Sequence, residues 1–313
     1  VKRMTGMFAV ALLSLAACGS GDAGTAAAGP ERLAVVATTP EVADFVRNLG
    51  GDRIDVTQII KPNVDPHEYE PTPADIKAIG EAKVVVKNGV GLEEWLDRTI
   101  ESAGFRGSVI DSSQGVTLRE GGHAHAEEHA EEEEAEEGEE HDPHIWHDPR
   151  NAKLMVANIE KGLTAAAPAE AAAFTANLSA YQAKLDKLDA DNAAAFAKLT
   201  NRKLVTNHDA FGYYVDRYDL EFVGSVIPSL DTSAELSAKQ LSELVAKIKA
   251  TGAKAIFAES SLPAKSAETI ARQAGVKVVA GEDALYGDSL GPDGTYLAAE
   301  EHNTRVIVEA LGG

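Results

Sequence analysis

The sequence predicts an α/β protein of two lobes, each a parallel-rich sheet flanked by helices, joined by one long rigid helix. Three observations predict it. Short apolar strands alternate with amphipathic helical stretches in the first half of the chain, and the same alternation returns in the second half. Between them, Pro168 to Leu199 runs roughly 32 residues without a glycine or an internal proline.

Leu33 to Ala37 is wholly apolar, as in a strand buried on both faces. A helical stretch follows from Val42 to Leu49, with Val42, Phe45, Val46 and Leu49 on one stripe and Gly50-Gly51 stopping it. Ile54 to Ile60 reads as the second strand. Thr72-Pro73-Ala74-Asp75 is a helix start, with Thr72 as N-cap, Pro73 at the first helical position and Asp75 reaching back. Val84 to Val86 is the third strand, Leu92 to Ala103 a helix and Ser108 to Ile110 a short fourth strand. In the second half, Leu204 to Thr206, Glu221 to Ile227, Ala255 to Phe257 and Val276 to Val279 read as strands. Helices are expected at Ala210 to Tyr218, Glu235 to Ala250, Ala264 to Gln273 and Tyr296 to Leu311.

In the linking stretch, Phe174, Leu178, Tyr181, Leu185 and Leu188 step by four and three along one helical face. At 1.5 Å per residue the rod would be roughly 48 Å long. Its apolar seam lasts only about two heptads, which favours packing along its own lobes over a dimeric coiled coil. The expected protein is a monomer whose lobes rock slightly instead of closing on a flexible hinge.

At the N-terminal end, Lys2 and Arg3 precede an apolar run from Met7 to Ala17, too short to span a bilayer and of signal-peptide length. It ends in small residues before Cys18, which resembles the lipobox of bacterial lipoproteins. Residues 1–17 are therefore expected to be a signal peptide and 18–30 a flexible tether carrying lipid on Cys18. The remaining expected divisions are an N-terminal lobe at 31–167, a linking helix at 168–199 and a C-terminal lobe at 200–313. The location is outside the cytoplasm, on the bacterial cell membrane. Cys18 is the single cysteine, so a mature domain with lipid there has no disulfide and no thiolate metal site.

The net charge of −21 is local in origin. Glu120 to Asp142 carries twelve acidic side chains and no Lys or Arg, which leaves −9 for the rest of the chain. No basic patch interleaved with aromatics is present, which argues against nucleic acid as a partner. The acidic segment 120–142 also holds His123, His125, His129 and His141. It is low in complexity and too polar to bury a core, so it is expected to be a disordered loop. Its carboxylates and imidazoles would capture cations weakly, as an antenna or sensor beside a tighter site.

The tripeptide Asp-Pro-His occurs twice, at residues 65–67 and 142–144. Proline fixes its own φ and biases the preceding residue away from the helix, so each His is displayed at a loop end. A rigidly held imidazole suits a metal ion. His208, in Thr206-Asn207-His208-Asp209, follows the first strand of the second half, and Asp288 lies in the loop after the last strand. Two candidates come from each half, on the side where α/β sheets bind ligands, so the site they would form lies in the interlobe cleft. Three imidazoles and one carboxylate suit tetrahedral Zn²⁺ and are softer than Mn²⁺ prefers. Imidazole binds metal only when neutral, so affinity should fall as pH drops toward ~6.5.

These residues carry a resemblance. The chain resembles the solute-binding lipoproteins of zinc and manganese ABC importers, the cluster A-I metal-binding group, from about Arg32 to its C-terminal end. The motifs are Asp65-Pro66-His67-Glu68-Tyr69-Glu70-Pro71, Asn88 to Trp95, Asp142-Pro143-His144-Ile145-Trp146, His208 to Tyr213, Glu259-Ser260-Ser261 and Leu285 to Leu290. The resemblance implies two α/β lobes joined by a long helix, with His67, His144, His208 and Asp288 as metal ligands. It also implies zinc, since the third ligand is commonly His in zinc importers and Glu in manganese importers. A membrane permease is the implied partner, and a metallochaperone is a further one. His-rich acidic loops at this place are frequent in zinc-specific members.

Other polar residues have plainer readings beside them. Glu68 is a candidate acceptor or alternative ligand, against an ordinary exposed carboxylate. Glu259 ends a strand near the cleft, where it would accept an imidazole N–H. His147 reads as a solvated histidine and His302 as a surface residue on the last helix. The leading function is zinc capture and delivery to an ABC permease, without catalysis. The alternatives are a manganese importer component of the same family, a zinc hydrolase and an adhesin-like lipoprotein with a structural metal. A hydrolase would keep one metal position open for water, and there is no His-Glu-x-x-His helix.

Overall fold

The computed structural model describes residues 32–121, 141–292 and 294–312. Cys18, His123, His125 and His129 lie outside these residues. The first half is β1 (Leu33–Ala37), α1 (Pro40–Gly50), β2 (Ile54–Gln58), α2 (Pro73–Glu81), β3 (Val84–Lys87), α3 (Leu96–Ala103), β4 (Ser108–Asp111) and α4 (Pro149–Ala166). The helix α5 (Ala171–Phe196) follows. The second half is β5 (Lys203–Thr206), α6 (Gly212–Tyr218), β6 (Glu221–Ser225), α7 (Ala238–Thr251), β7 (Ala255–Phe257), α8 (Lys265–Ala274), β8 (Lys277–Val279) and α9 (Tyr296–Gly312).

Each half builds a four-stranded, all-parallel sheet, ordered β2-β1-β3-β4 and β6-β5-β7-β8. The orders are the same when counted from the start of each half. In both sheets the strand order therefore reverses beside the first strand, the kind of switch point at which α/β sheets open a crevice at the carboxyl ends. Register is fixed by burial: Val35 faces Val56 on one side and Val84 on the other, and Val84, Val85 and Val86 are fully buried. The capping box on α2 forms as its sequence implies, with the Thr72 hydroxyl accepting from Asp75 N–H and the Asp75 carboxylate from Thr72 N–H.

Two elements differ from expectation. Helix α4 was not foreseen, although Asp148-Pro149 carries the signal: the Asp148 carboxylate accepts from Arg150 N–H at 2.8 Å and Pro149 occupies the first helical position. Its Ala152, Met155, Val156, Ile159 and Leu163 are buried. The linking helix is shorter than the Pro168–Leu199 stretch. It has 26 residues, because Pro168–Glu170 forms a 3₁₀ turn ahead of it and Ala197 is already its C-cap.

The buried face of α5 connects two cores. Phe174, Tyr181, Leu185 and Leu188 belong to a core built around the first sheet, and Phe196 to one around the second. The first core also takes Tyr213, Leu290, Tyr296 and Ala299 from the second half. The Asp44 carboxylate ties the same seam, accepting from Tyr181 Oη at 3.1 Å and from Tyr296 N–H at 3.0 Å. An apolar seam shared this way resists a swing of one half against the other.

Candidate metal centre

The two Asp-Pro-His tripeptides fold alike. In each, the Asp carboxylate accepts the backbone N–H of the His two residues on, at 2.9 Å from Asp65 to His67 and 3.0 Å from Asp142 to His144. This Asx turn, stiffened by proline, displays the imidazole. His208 extends directly from β5, and its own N–H is held by Glu259 Oε1 at 2.9 Å. Asp288 lies in the loop after β8, where Asn63 N–H donates to Ser289 Oγ at 2.9 Å and so links it to the His67 loop.

The four side chains converge. His144 Nε2 lies 3.3 Å from both His67 Nε2 and His208 Nε2. Asp288 oxygens lie 3.4 Å from His144 Nε2, 3.5 Å from His208 Nε2 and 3.9 Å from His67 Nε2. One donor atom from each residue falls within 4.8 Å of all the others. A tetrahedron with ~2.0–2.1 Å bonds has edges of about 3.3–3.4 Å; the two Nε2 pairs of His144 match that edge, and the remaining distances are somewhat longer. Both Asp288 oxygens are buried without a hydrogen-bond partner among the described residues. A 1 %-exposed carboxylate without a hydrogen bond calls for positive charge beside it, which protonated His208 gives without metal and a cation among the three imidazoles would give with it.

The back side of each ring is also held. Asp142 Oδ1 pairs with His144 Nδ1 at 2.8 Å, and Asp142 Oδ2 accepts from Arg119 at 2.9 Å. Gly212 makes room for this relay, since a Cβ there would collide with the Arg119 guanidinium and Asp142. Glu259 Oε2 lies 2.8 Å from His208 Nδ1, off the line of a directed hydrogen bond, so the contact is an ion pair. Such partners fix the tautomer that leaves Nε2 free for metal. Gly287 is needed for the same reason, because a side chain there would strike Glu259.

Electrostatics divides the imidazoles. Burial pushes His67 down to about 4, with Asp288 opposing and the other two rings reinforcing. Burial and the neighbouring His208 push His144 well below the ordinary range. Burial works against charge on His208 as well, yet Glu259 and Asp288 outweigh it and raise it to about 10. Without metal, His208 therefore keeps a proton at neutral pH. Metal binding is expected to expel about one proton near pH 7, and affinity to keep rising above pH 6.5. Calorimetry in buffers of different ionisation enthalpy reads this directly; no buffer dependence would contradict it.

Other foreseen residues are placed differently. Glu259, expected to accept an imidazole N–H, instead faces His208 as an ion pair, whereas Glu68 is exposed and outside the converging group. Glu68 and His141 instead line a cavity of about 590 Å³ in front of His67, together with Glu94, Leu118 and Asp231. His147 is not solvated: it is fully buried and pairs with Glu300 at 2.8 Å. His302 is half-buried, lying 2.9 Å from the Ala284 carbonyl and packing on Tyr286. His144, unlike His208, does not follow a strand. His144 caps a 3₁₀ turn that leads into α4.

Sequence reasoning missed Asp65, Asp142, Arg119 and Trp146. The Asp two residues before each His was a legible signal; Arg119, brought in from 23 residues before Asp142, had none. Trp146 Nε1 donates to the Gly287 carbonyl at 3.2 Å, next to Asp288.

Comparison with known proteins gives the family and the fold. Residues 35–310 match the family model described as the zinc-uptake complex component A, periplasmic. The manganese ABC transporter substrate-binding lipoprotein PsaA of Streptococcus mitis is 30 % identical, over 99 % of both chains. The iron ABC transporter substrate-binding lipoprotein MtsA of Streptococcus pyogenes serotype M1 is 31 % identical over the same shares. Among solved structures, the periplasmic zinc-binding protein TroA of Treponema pallidum superposes with a TM-score of 0.78 at 30 % identity, covering 90 % of this chain and 99 % of that one. A ZnuA crystal structure superposes at 0.76 and 26 % identity with the same coverage.

Proposed function

The chain belongs to the zinc-uptake component A family of ABC-importer substrate-binding proteins, and on that premise we propose that its cargo is Zn²⁺, held by His67, His144, His208 and Asp288. A protein of this family binds a metal ion outside the cytoplasm and serves a membrane permease and its ATPase; it is not an enzyme.

The observation that carries the zinc reading is the convergence of three imidazoles and one carboxylate, with donor atoms all within 4.8 Å of one another and His144 Nε2 3.3 Å from both other rings. A nitrogen-rich donor set favours zinc, whereas manganese prefers more oxygens and more ligands. The relatives are named for manganese and iron as well as zinc, so the donor chemistry of this chain is what supports the choice. Metal analysis of the purified protein, with Zn²⁺ and Mn²⁺ offered together, tests it. One zinc per chain is the expected result, and displacement of Zn²⁺ by Mn²⁺ at equal concentration would overturn it.

The delivery step follows from which ligand is loosest. His144, His208 and Asp288 have fully buried side chains, while His67 retains 9 % exposure and faces the cavity. The shared apolar seam holds the halves together, so release proceeds by withdrawal of the His67 loop from a preformed three-donor remainder. That loop carries the exposed Asn63, whose N–H is tied across to Ser289 Oγ at 2.9 Å, a contact that must part for the withdrawal.

Lipid on Cys18 would tether the domain beside its permease, with 18–30 as tether, 31–167 and 200–313 as lobes and 168–199 between them. His123, His125 and His129 would act with His141 as a weak collecting segment at the cavity. Deleting residues 122–140 is expected to leave one tight zinc per chain and to remove only weaker binding in a titration. Loss of the tight site would contradict this division.

A further inference from the structure

The turn Ile145–His147 touches the carriers of three of the four donors. It continues from His144, and Trp146 Nε1 reaches the carbonyl that precedes Asp288. His147 stacks on Phe211, with ring centroids 4.5 Å apart and planes at 24°. Phe211 stands three residues after His208, as His147 stands three residues after His144. The two segments therefore meet twice, once through Nε2 atoms 3.3 Å apart at the donor cluster and again through stacked rings behind it. Two points of contact fix an orientation that one would leave free. Behind His147, Nδ1 pairs with Glu300 Oε1 of α9 at 2.8 Å, and Tyr296 Oη donates to the Trp146 carbonyl at 2.6 Å.

A buried imidazole–carboxylate pair is a costly way to fill space, and apolar side chains of similar volume would do so at least as well. Among the described residues, His147 Nε2 and Glu300 Oε2 are buried without hydrogen-bond partners. What the pair supplies is a flat ring in a fixed plane.

We propose that His147 is a positioning residue, a wedge whose ring, set by Glu300 and stacked on Phe211, keeps the His144 turn and the His208 loop at the separation a four-coordinate ion requires and so governs how fast the ion leaves. This rests on the zinc reading above and concerns the release step of the same site. It assigns the ring no contact with the metal.

The test uses the full chain and two double variants, His147→Ala/Glu300→Leu, which lacks the ring, and His147→Phe/Glu300→Leu, which keeps a ring without the charge pair. Zinc release is followed after mixing with excess chelator, and the visible spectrum of the Co²⁺-loaded protein reports four-coordinate geometry. The ringless variant should release zinc about tenfold faster, with a weakened tetrahedral cobalt band. The Phe variant should stay within about twofold of the unmodified chain. Parent-like release by the ringless variant, or release by the Phe variant as fast as by the ringless one, overturns the proposal. If the ringless variant does not fold, Phe211→Leu removes the stack alone and carries the same expectation. Failure of the unmodified chain to hold zinc would sink the zinc reading itself, a result distinct from parent-like release in the variants.

Discussion

Replacing His208 by alanine is expected to lower both zinc affinity and the stability of the metal-free protein, whereas His67→Ala should lower affinity alone. Zinc binding of about 10–16 kcal/mol divided over four ligands is about 3 kcal/mol each, so either substitution should weaken binding by a hundredfold or more. The difference lies in what is left behind. His208 pairs with Glu259 at 2.8 Å where both side chains are fully buried, and alanine there strands a carboxylate in the interior. Breaking such a pair costs roughly 3–5 kcal/mol. His67 is pushed down to about 4, so it is neutral in the metal-free protein and its removal strands nothing.

The pH sign separates the two further. His208 is raised from 6.5 to about 10 in the fold, so its stabilisation is fully present below pH 6.5 and is lost as pH rises through 10. Thermal melts with chelator should therefore show a large deficit for His208→Ala near pH 6 that shrinks toward pH 10. A deficit independent of pH, or equal for His67→Ala, would show that the Glu259 pair is not the cause.

Glu41→Gln is expected to stabilise the metal-free protein by about 3–5 kcal/mol at pH 8, on the order of 10 °C in melting temperature. Glu41 is 1 % exposed in the first turn of α1, and its Oε1 has no hydrogen-bond partner among the described residues. Burial drives its carboxyl up to about 8; hydrogen bonds with its own backbone and with Thr39 pull the other way, and the Asp288 charge adds to the rise. A carboxyl raised in the fold has its full stability below pH ~4.5 and loses it as pH climbs through 8. An amide has no such loss. The advantage of Glu41→Gln should thus vanish near pH 4 and grow through neutrality; a constant offset would show that shape, not ionisation, is responsible.

The position of Glu41 bears on what a reader of the chain sees. Nothing near Pro40-Glu41 marks a buried acid, because a Glu after Pro at a helix start is an ordinary cap residue. Only the packing of α1 against α4, α5 and α9 takes it out of solvent. The same applies to His147, whose neighbours in sequence suggest solvent but whose ring is covered by Phe211, Trp146 and Tyr214. By contrast, the four converging side chains were legible, because each has its own local reason: proline before His67 and His144, a strand end before His208, and the loop after the last strand for Asp288. Helix α4 was legible in principle from Asp148-Pro149 but is overshadowed by the acidic stretch before it.

The sequence by itself determined the strands, most helices, the doubling of the sheet and the four candidate side chains that converge. These follow from periodicity, capping and turn chemistry within a few residues of each other. Tertiary structure alone decided that Glu259 stands behind His208, and that one ring holds a proton the others lack. It also decided that the two halves share a seam from Tyr181 to Tyr296. Those outcomes depend on burial and on charges brought together across tens to hundreds of residues, and burial is a property of the assembled fold, written in no short stretch of chain.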